Sequence, residues 1–271
     1  DRSVSRGLGD VYKRQIQDMT SGSPGRLIIL FAIPLMLGNI CQQLYTMVDT
    51  MVVGQVAGVE ALAALGAVDF LMWVVTGIST GLTQGFSIQL SQYYGAKDFE
   101  NLRKSLAHSY RLTAFIAAGV LILSQSFASL VLTGLHTPSN IIGMSLLYLR
   151  IIFCGIPATA AYNMFASALR AMGNSKTPLT AMIIASVLNV SLDILFVAGF
   201  GWGVAGAAIA TVIAQSFSAV YCFLILRRID IVHLTRADFM PASGMNARLM
   251  KLGIPVVFQN IIIGVGGLVV Q

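Results

Sequence analysis

Charge is scarce in this chain. Asp, Glu, Lys and Arg occupy 10% of its 271 positions, where a soluble domain carries about 25%. That shortage excludes a water-soluble globule and a disordered chain. Cysteine is scarce as well. Cys41, Cys154 and Cys222 each lie inside an apolar run, which excludes a disulfide scaffold and leaves no Cys/His spacing that reads as a metal site. Only three histidines occur, His108, His136 and His233, and no HExxH. An intramembrane enzyme therefore lacks the paired His and Glu it would need. What fills the chain instead is apolar: 56% hydrophobic residues and a mean hydropathy of +0.79. The fold class this implies is all-α, a polytopic transmembrane helical bundle in a lipid bilayer. The pI of about 9.4 does not point to nucleic acid. A basic excess in so apolar a chain reflects loops on the cytoplasmic side of a membrane.

Residues 1–15, DRSVSRGLGDVYKRQ, differ in character from the rest of the chain. They are polar and aperiodic, with no apolar stretch of a signal peptide, and are expected to be a disordered non-native leader from read-through of a sequencing adaptor. Without them 13 basic and 9 acidic residues remain, a balance of +4. A spanning helix needs about 20 mostly apolar residues, and seven segments qualify: 27–53, 61–88, 112–134, 145–168, 179–199, 204–226 and 250–271. Pro34, Pro157 and Pro255 fall inside them, as the bilayer tolerates. Gly54, Gly58, Gly95, Pro138 and the GNSKTP and GFGWG runs mark the breaks.

Lys and Arg alternate between loops without exception. They precede span one, are missing from the next loop, return at Lys97, Arg103 and Lys104, are missing again, return at Arg170 and Lys176, are missing once more, and end at Arg227, Arg228, Arg236 and Arg248. The amino end is thus expected in the cytoplasm. The division expected is a six-helix amino-terminal lobe over 16–226, a cytoplasmic inter-lobe loop over 227–249, and over 250–271 the first helix of a second, truncated lobe. The last expectation rests on a repeat. IPLMLGNI at 33–40 returns as IPVVFQNI at 254–261, each with an Arg seven or eight positions before its proline. Six spans separate the copies, so both enter the membrane in the same direction, as parallel transporter repeats do.

Ionisable residues at membrane depth are costly and mark functional sites by default, at about 2.5–3.5 kcal/mol each or more. Asp193 is the sole charge between Pro178 and Leu226. Asn189, four residues earlier, shares its helix face, so NVSLD offers two oxygens to a hard cation or a proton. The competing reading is a wetted, inert carboxylate at a helix end. On span one, Gln42, Tyr45 and Asp49 form a polar stripe extended by Asn39. It reads either as a pathway lining or as interhelical hydrogen bonding. Pro34 could kink that span statically or let it bend. Span six opens with GVAGAA, small enough for close packing. Thr211 and Gln215 come next on one face, with Gln215 read as helix–helix glue. Asp69 and Glu60 lie near the outer ends, and Arg111 and Arg150 can snorkel.

Taken in order, IPLMLGNICQQLYTMVDTMVVG (33–54), TQGFSIQLSQYYGAKD (83–98), RAMGNSKTP (170–178), LNVSLDILF (188–196) and GVAGAAIATVIAQ (203–215) resemble successive landmarks of the multidrug and toxic compound extrusion transporters. The resemblance runs over residues 18–271. It implies a twelve-helix, two-lobe antiporter of the plasma membrane that expels small organic cations in exchange for Na⁺ or H⁺ and needs no cofactor. It also implies a coupling-ion site at Asp49, Asn189, Asp193 and Thr211, which is a metal site only if the ion is Na⁺. Pro34, Gln42, Tyr45 and Asn163 are implied to line the cavity of the same lobe. One departure stands out: the family has a complete second lobe, and this chain stops in its first helix. A flippase for a lipid-linked polysaccharide precursor, within the same superfamily, is the rival. Its cavity should be basic, whereas the central charges here are acidic.

Overall fold

A computed structural model describes residues 23–240 and 242–270. The expected leader lies outside the described residues. Among the described residues eight α-helices occur in order: α1 (Pro24–Val56), α2 (Val59–Gly95), α3 (Phe99–Gly134), α4 (Ile142–Cys154), α5 (Ile156–Ala171), α6 (Lys176–Asp193), α7 (Gly203–Leu226) and α8 (Met245–Val270). A π-helical turn (Ile194–Gly199) extends α6, and two short 3₁₀ turns (Asp230–Val232, Arg236–Phe239) lie between α7 and α8. No strand occurs among the described residues. Among the described residues six helices are each long and apolar enough to cross a membrane, and α4 with α5, bent by 46°, makes a seventh if the pair is one span. The all-α transmembrane bundle read from composition is the fold.

The spans match the apolar windows and overrun them. Asp98 caps α3, its side chain accepting from the Asn101 backbone N–H (3.1 Å) and from Asn101 Nδ2 (2.7 Å). That helix therefore starts well before residue 112. Three boundaries differ from expectation. Gly54 is helical, and the first break falls at Gly58, whose φ of +90° only glycine adopts without strain. Glu60 belongs to the first turn of α2 rather than to a loop. Span four is not one helix with Pro157 inside it. The chain bends at Gly155, and Pro157 enters the first turn of α5, where a missing N–H costs nothing. Gly155 is also where α7 presses closest: a Cβ there would stand 2.6 Å from Val212 Cγ2.

The core is divided along the membrane normal. One cluster, around Phe86, Leu102, Met164, Leu169 and Leu226, sits toward the end that carries Lys97, Arg103, Arg170 and Arg227, here termed the basic end. A second cluster, around Val53, Val68, Leu149, Phe153 and Ala208, fills the opposite half. GVAGAA packs as its small residues require, because a Cβ on Gly206 would meet the Phe196 backbone at 3.1 Å. Helix α8 lies along α2, with Gly81 and Gly85 set against the backbone of Gly253 and Val257.

Residues 227–240 pack against the bundle, and α8 begins at Met245 rather than at 250. A Thr235–Asp238 capping box shapes the segment. Arg103 Nε lies 3.8 Å from Asp238 Oδ1, and Arg111 Nη1 donates to the Phe239 carbonyl at 3.0 Å. Arg111 thus holds the loop rather than snorkelling. His108, expected in or near a loop, is a buried helical residue of α3. Its Nδ1 stands 2.7 Å from Asn246 Oδ1 and its Nε2 3.1 Å from the Met240 carbonyl.

Candidate functional site: two carboxylates between two cores

Three helices bring the predicted ion-site residues to one level. On α1, Tyr45 packs on the basic-end cluster and Val53 belongs to the other, leaving Asp49 between them. Met182 of α6 and Val197 of the π-turn that extends it bracket Asn189 and Asp193 in the same way, and on α7 Ala219 and Ala208 bracket Thr211. At 1.5 Å per residue, Asp49, Asp193 and Thr211 all sit roughly 10 Å in from the helix ends opposite the basic end. Helix α1 packs on α6, and α6 on α7.

Burial is severe for a set this polar. Asp193 is 0% exposed, Asn189 1% and Asp49 6%. Asn189 Nδ2 donates to Thr211 Oγ1 at 3.4 Å, tying α6 to α7. Among the described residues, Asp49 Oδ1, Asn189 Oδ1, both oxygens of Asp193 and Gln215 Oε1 are buried with no hydrogen-bond partner. Native proteins bond nearly all such groups, so five orphan oxygens within about a helical turn of one level could receive a positively charged or proton-bearing guest. Asp49 and Asp193 lie within electrostatic reach of each other. A cavity of about 10 Å³, room for roughly one water-sized body, is lined by Tyr45, Met182, Ala185, Asn189, Thr211, Ala214 and Gln215.

The other predicted residues are distributed differently. Tyr45 is half-buried and faces this cavity, whereas Gln42 and Asn39 are exposed. Pro34 sits inside α1, four turns from Asp49. Asn163, on α5, turns to α2 and donates to Thr80 Oγ1 at 3.2 Å, apart from the carboxylates. Asp69 is exposed. Two features escaped sequence reading. Gln215 was read as glue, although its spacing from Thr211 places it on the cavity face. The π-turn directly after Asp193 has no signature in ILFVAG, and such turns recur at functional sites.

A profile of the MatE family matches residues 34–195. The chain belongs to the MatE family. MatE proteins are transporters rather than enzymes, and this one is an integral membrane protein. It is 31% identical over 246 residues to the probable multidrug resistance protein YpnP of Bacillus subtilis, a match covering 91% of this chain and 55% of that one. Among solved structures it resembles an outward-facing multidrug resistance MATE transporter, with a TM-score of 0.84 at 25% identity over 90% of this chain and 54% of that one. It is equally similar (TM-score 0.84, 25% identity, 90% and 54% coverage) to a transporter of the wider superfamily from Pyrococcus furiosus, for which a binding pocket of reverse polarity suggests a different function. The chain spans about half the length of the curated relatives it matches.

Proposed function

We propose that this MatE chain contributes the amino-terminal lobe of a secondary antiporter that exports organic cations or drugs in exchange for Na⁺ or H⁺. The observation that carries the reading is the pair of buried, unpartnered carboxylates, Asp49 and Asp193, on separate helices. Two such groups in low dielectric cannot both stay ionised unless a cation joins them or a proton neutralises one. The loaded and empty lobe therefore pack differently. A cationic substrate and the coupling ion then compete through two conformations, which is antiport. Pro34 removes one rung from α1 and makes that helix the candidate moving part. Helix α1 is suited to it, because Ile29, Met36, Ile40, Leu44 and Met47 are exposed rather than locked in a core.

Residues 227–249 are the loop between lobes in this reading, and the basic end faces the cytoplasm of a plasma-membrane protein. The flippase reading asks for a basic cavity, and nothing favours it here. Among the described residues, Arg170 Nε is a buried cationic atom without a partner, and it lies in the last turn of α5 at the basic end, away from the centre. The test uses the complete transporter in proteoliposomes. Asp193→Asn should insert and express normally but lose ion-driven efflux, while Asn189→Ala should lose less, since it removes one neutral ligand. Unchanged efflux and ion dependence in both Asp193→Asn and Asp49→Asn would overturn the assignment.

A further inference from the structure

We propose that Gln215 is a ligand of the coupling ion and sets the preference for Na⁺ over H⁺; this rests on the antiport reading above. A glutamine that served only as helix glue would spend both atoms of its amide on its neighbours. Gln215 bonds the Tyr45 phenol of α1 through its side chain, yet keeps Oε1 buried and unbonded. Asn189 is in a similar state: its Nδ2 is engaged by Thr211, and its Oδ1 is left unbonded. Both amides line the same cavity, which has room for about one water-sized body.

Two carbonyl oxygens cannot bond each other. They can share a third body that is cationic or carries two protons. Asp193 stands one turn from Asn189 on α6, and the carboxylates of Asp49 and Asp193 carry three more orphan oxygens; their charge beside the cavity favours a cation over a neutral water. The two candidate ions differ in what they ask of these oxygens. A proton is held by one carboxylate and donates to a single acceptor, so it gains little from a pair of amide carbonyls. A hard metal cation gathers several oxygens, neutral carbonyls among them. Thr211 and Gln215, one turn apart on α7, together with Asn189 on α6, supply neutral oxygens beside the charged ones. Gln215 is thus the position at which an oxygen serves Na⁺ and is dispensable for H⁺.

The test monitors thermal unfolding of the complete purified transporter while NaCl replaces choline chloride at constant ionic strength, since a ligand that binds only the folded state raises the midpoint by mass action. The parent should be stabilised by Na⁺ more than by K⁺ or choline. Gln215→Met, similar in length but without the oxygen, should weaken Na⁺ about tenfold or more while proton-driven efflux persists. If it fails to fold, Gln215→Glu decides. An added charge at the same reach tightens Na⁺ if the side chain faces the ion, and leaves the affinity unchanged if Gln215 is only glue. An unaltered Na⁺ response in Gln215→Met, or a parent that ignores Na⁺ so that the cavity holds water, overturns the inference. Asp193→Asn separates the two claims. If it removes the Na⁺ response and efflux while Gln215→Met changes neither, only the role of Gln215 fails. If Asp193→Asn itself changes nothing, the antiport reading fails.

Discussion

Three carboxylates are buried among the described residues, and their surroundings decide what each can do. Asp238 accepts from the Thr235 backbone N–H (2.7 Å) and hydroxyl (2.8 Å) and lies 3.8 Å from Arg103, so its charge is spent on structure. Both oxygens of Asp193 and Oδ1 of Asp49 have no such company, and that contrast is what the proposed loading role rests on. A half-buried carboxylate at a helix start gives a third case. The Asn101 side chain and backbone N–H hold the Asp98 carboxyl below the usual carboxylate range. Its folded pKa is thus below the unfolded value of about 3.9. The stabilisation it lends is present above that value and lost as pH falls through the lowered one. Asp98→Ala should therefore lower the unfolding midpoint at pH 7, and the gap to the parent should narrow as the pH drops below the unfolded value of about 3.9, as monitored by circular dichroism in detergent. The sequence showed Asp98 only as a charge in a loop, because a cap exists once the helix start is fixed three-dimensionally.

Elements meet here through what their side chains lack. Along the α2–α8 contact, a Cβ on Gly85 would collide with the backbone of Gly253, and one on Gly81 would lie 2.7 Å from Val257 Cα. Gly85→Val should force the helices apart and cost about 1–3 kcal/mol or more. Gly119→Ala on α3, where a Cβ meets nothing, should be neutral or stabilising by up to about 1 kcal/mol through helix propensity. Thermal unfolding of the two variants side by side checks both. The segment before α8 is held by polar groups instead. His108→Ala should free the Met240 carbonyl and Asn246, at about 1–3 kcal/mol for groups left unsatisfied. Hydrogen exchange should then quicken over 236–246 and stay unchanged over 185–195. Helix existence was legible from apolar runs. The bend at Gly155, the π-turn after Asp193 and the docking of the 227–240 segment were not, because each depends on a neighbour distant in sequence.

At the scale of the whole molecule, charge asymmetry is the signal with the longest reach. Every basic connection falls at one end, so that end is expected in the cytoplasm. On a background without Cys41, Cys154 and Cys222, cysteines at Val59 or Asn140 should react with an impermeant thiol reagent from outside the cell. Cysteines at Glu100 or Arg227 should react only after permeabilisation, and the reverse pattern would invert the topology. The sequence by itself determined the solvent: an apolar chain with seven long runs has to satisfy its backbone internally, and helices are how a single chain does that in lipid. It also determined which polar residues are costly enough to matter, since isolation of Asp49 and Asp193 is a property of composition along a helix. Tertiary structure alone decided which of them come together. It joined Asn189 to Thr211, placed both with Gln215 around one cavity, and turned Asn163 away toward Thr80. Helical spacing fixes the face on which a side chain stands, but only packing against other helices fixes what that face meets and whether its oxygens find partners.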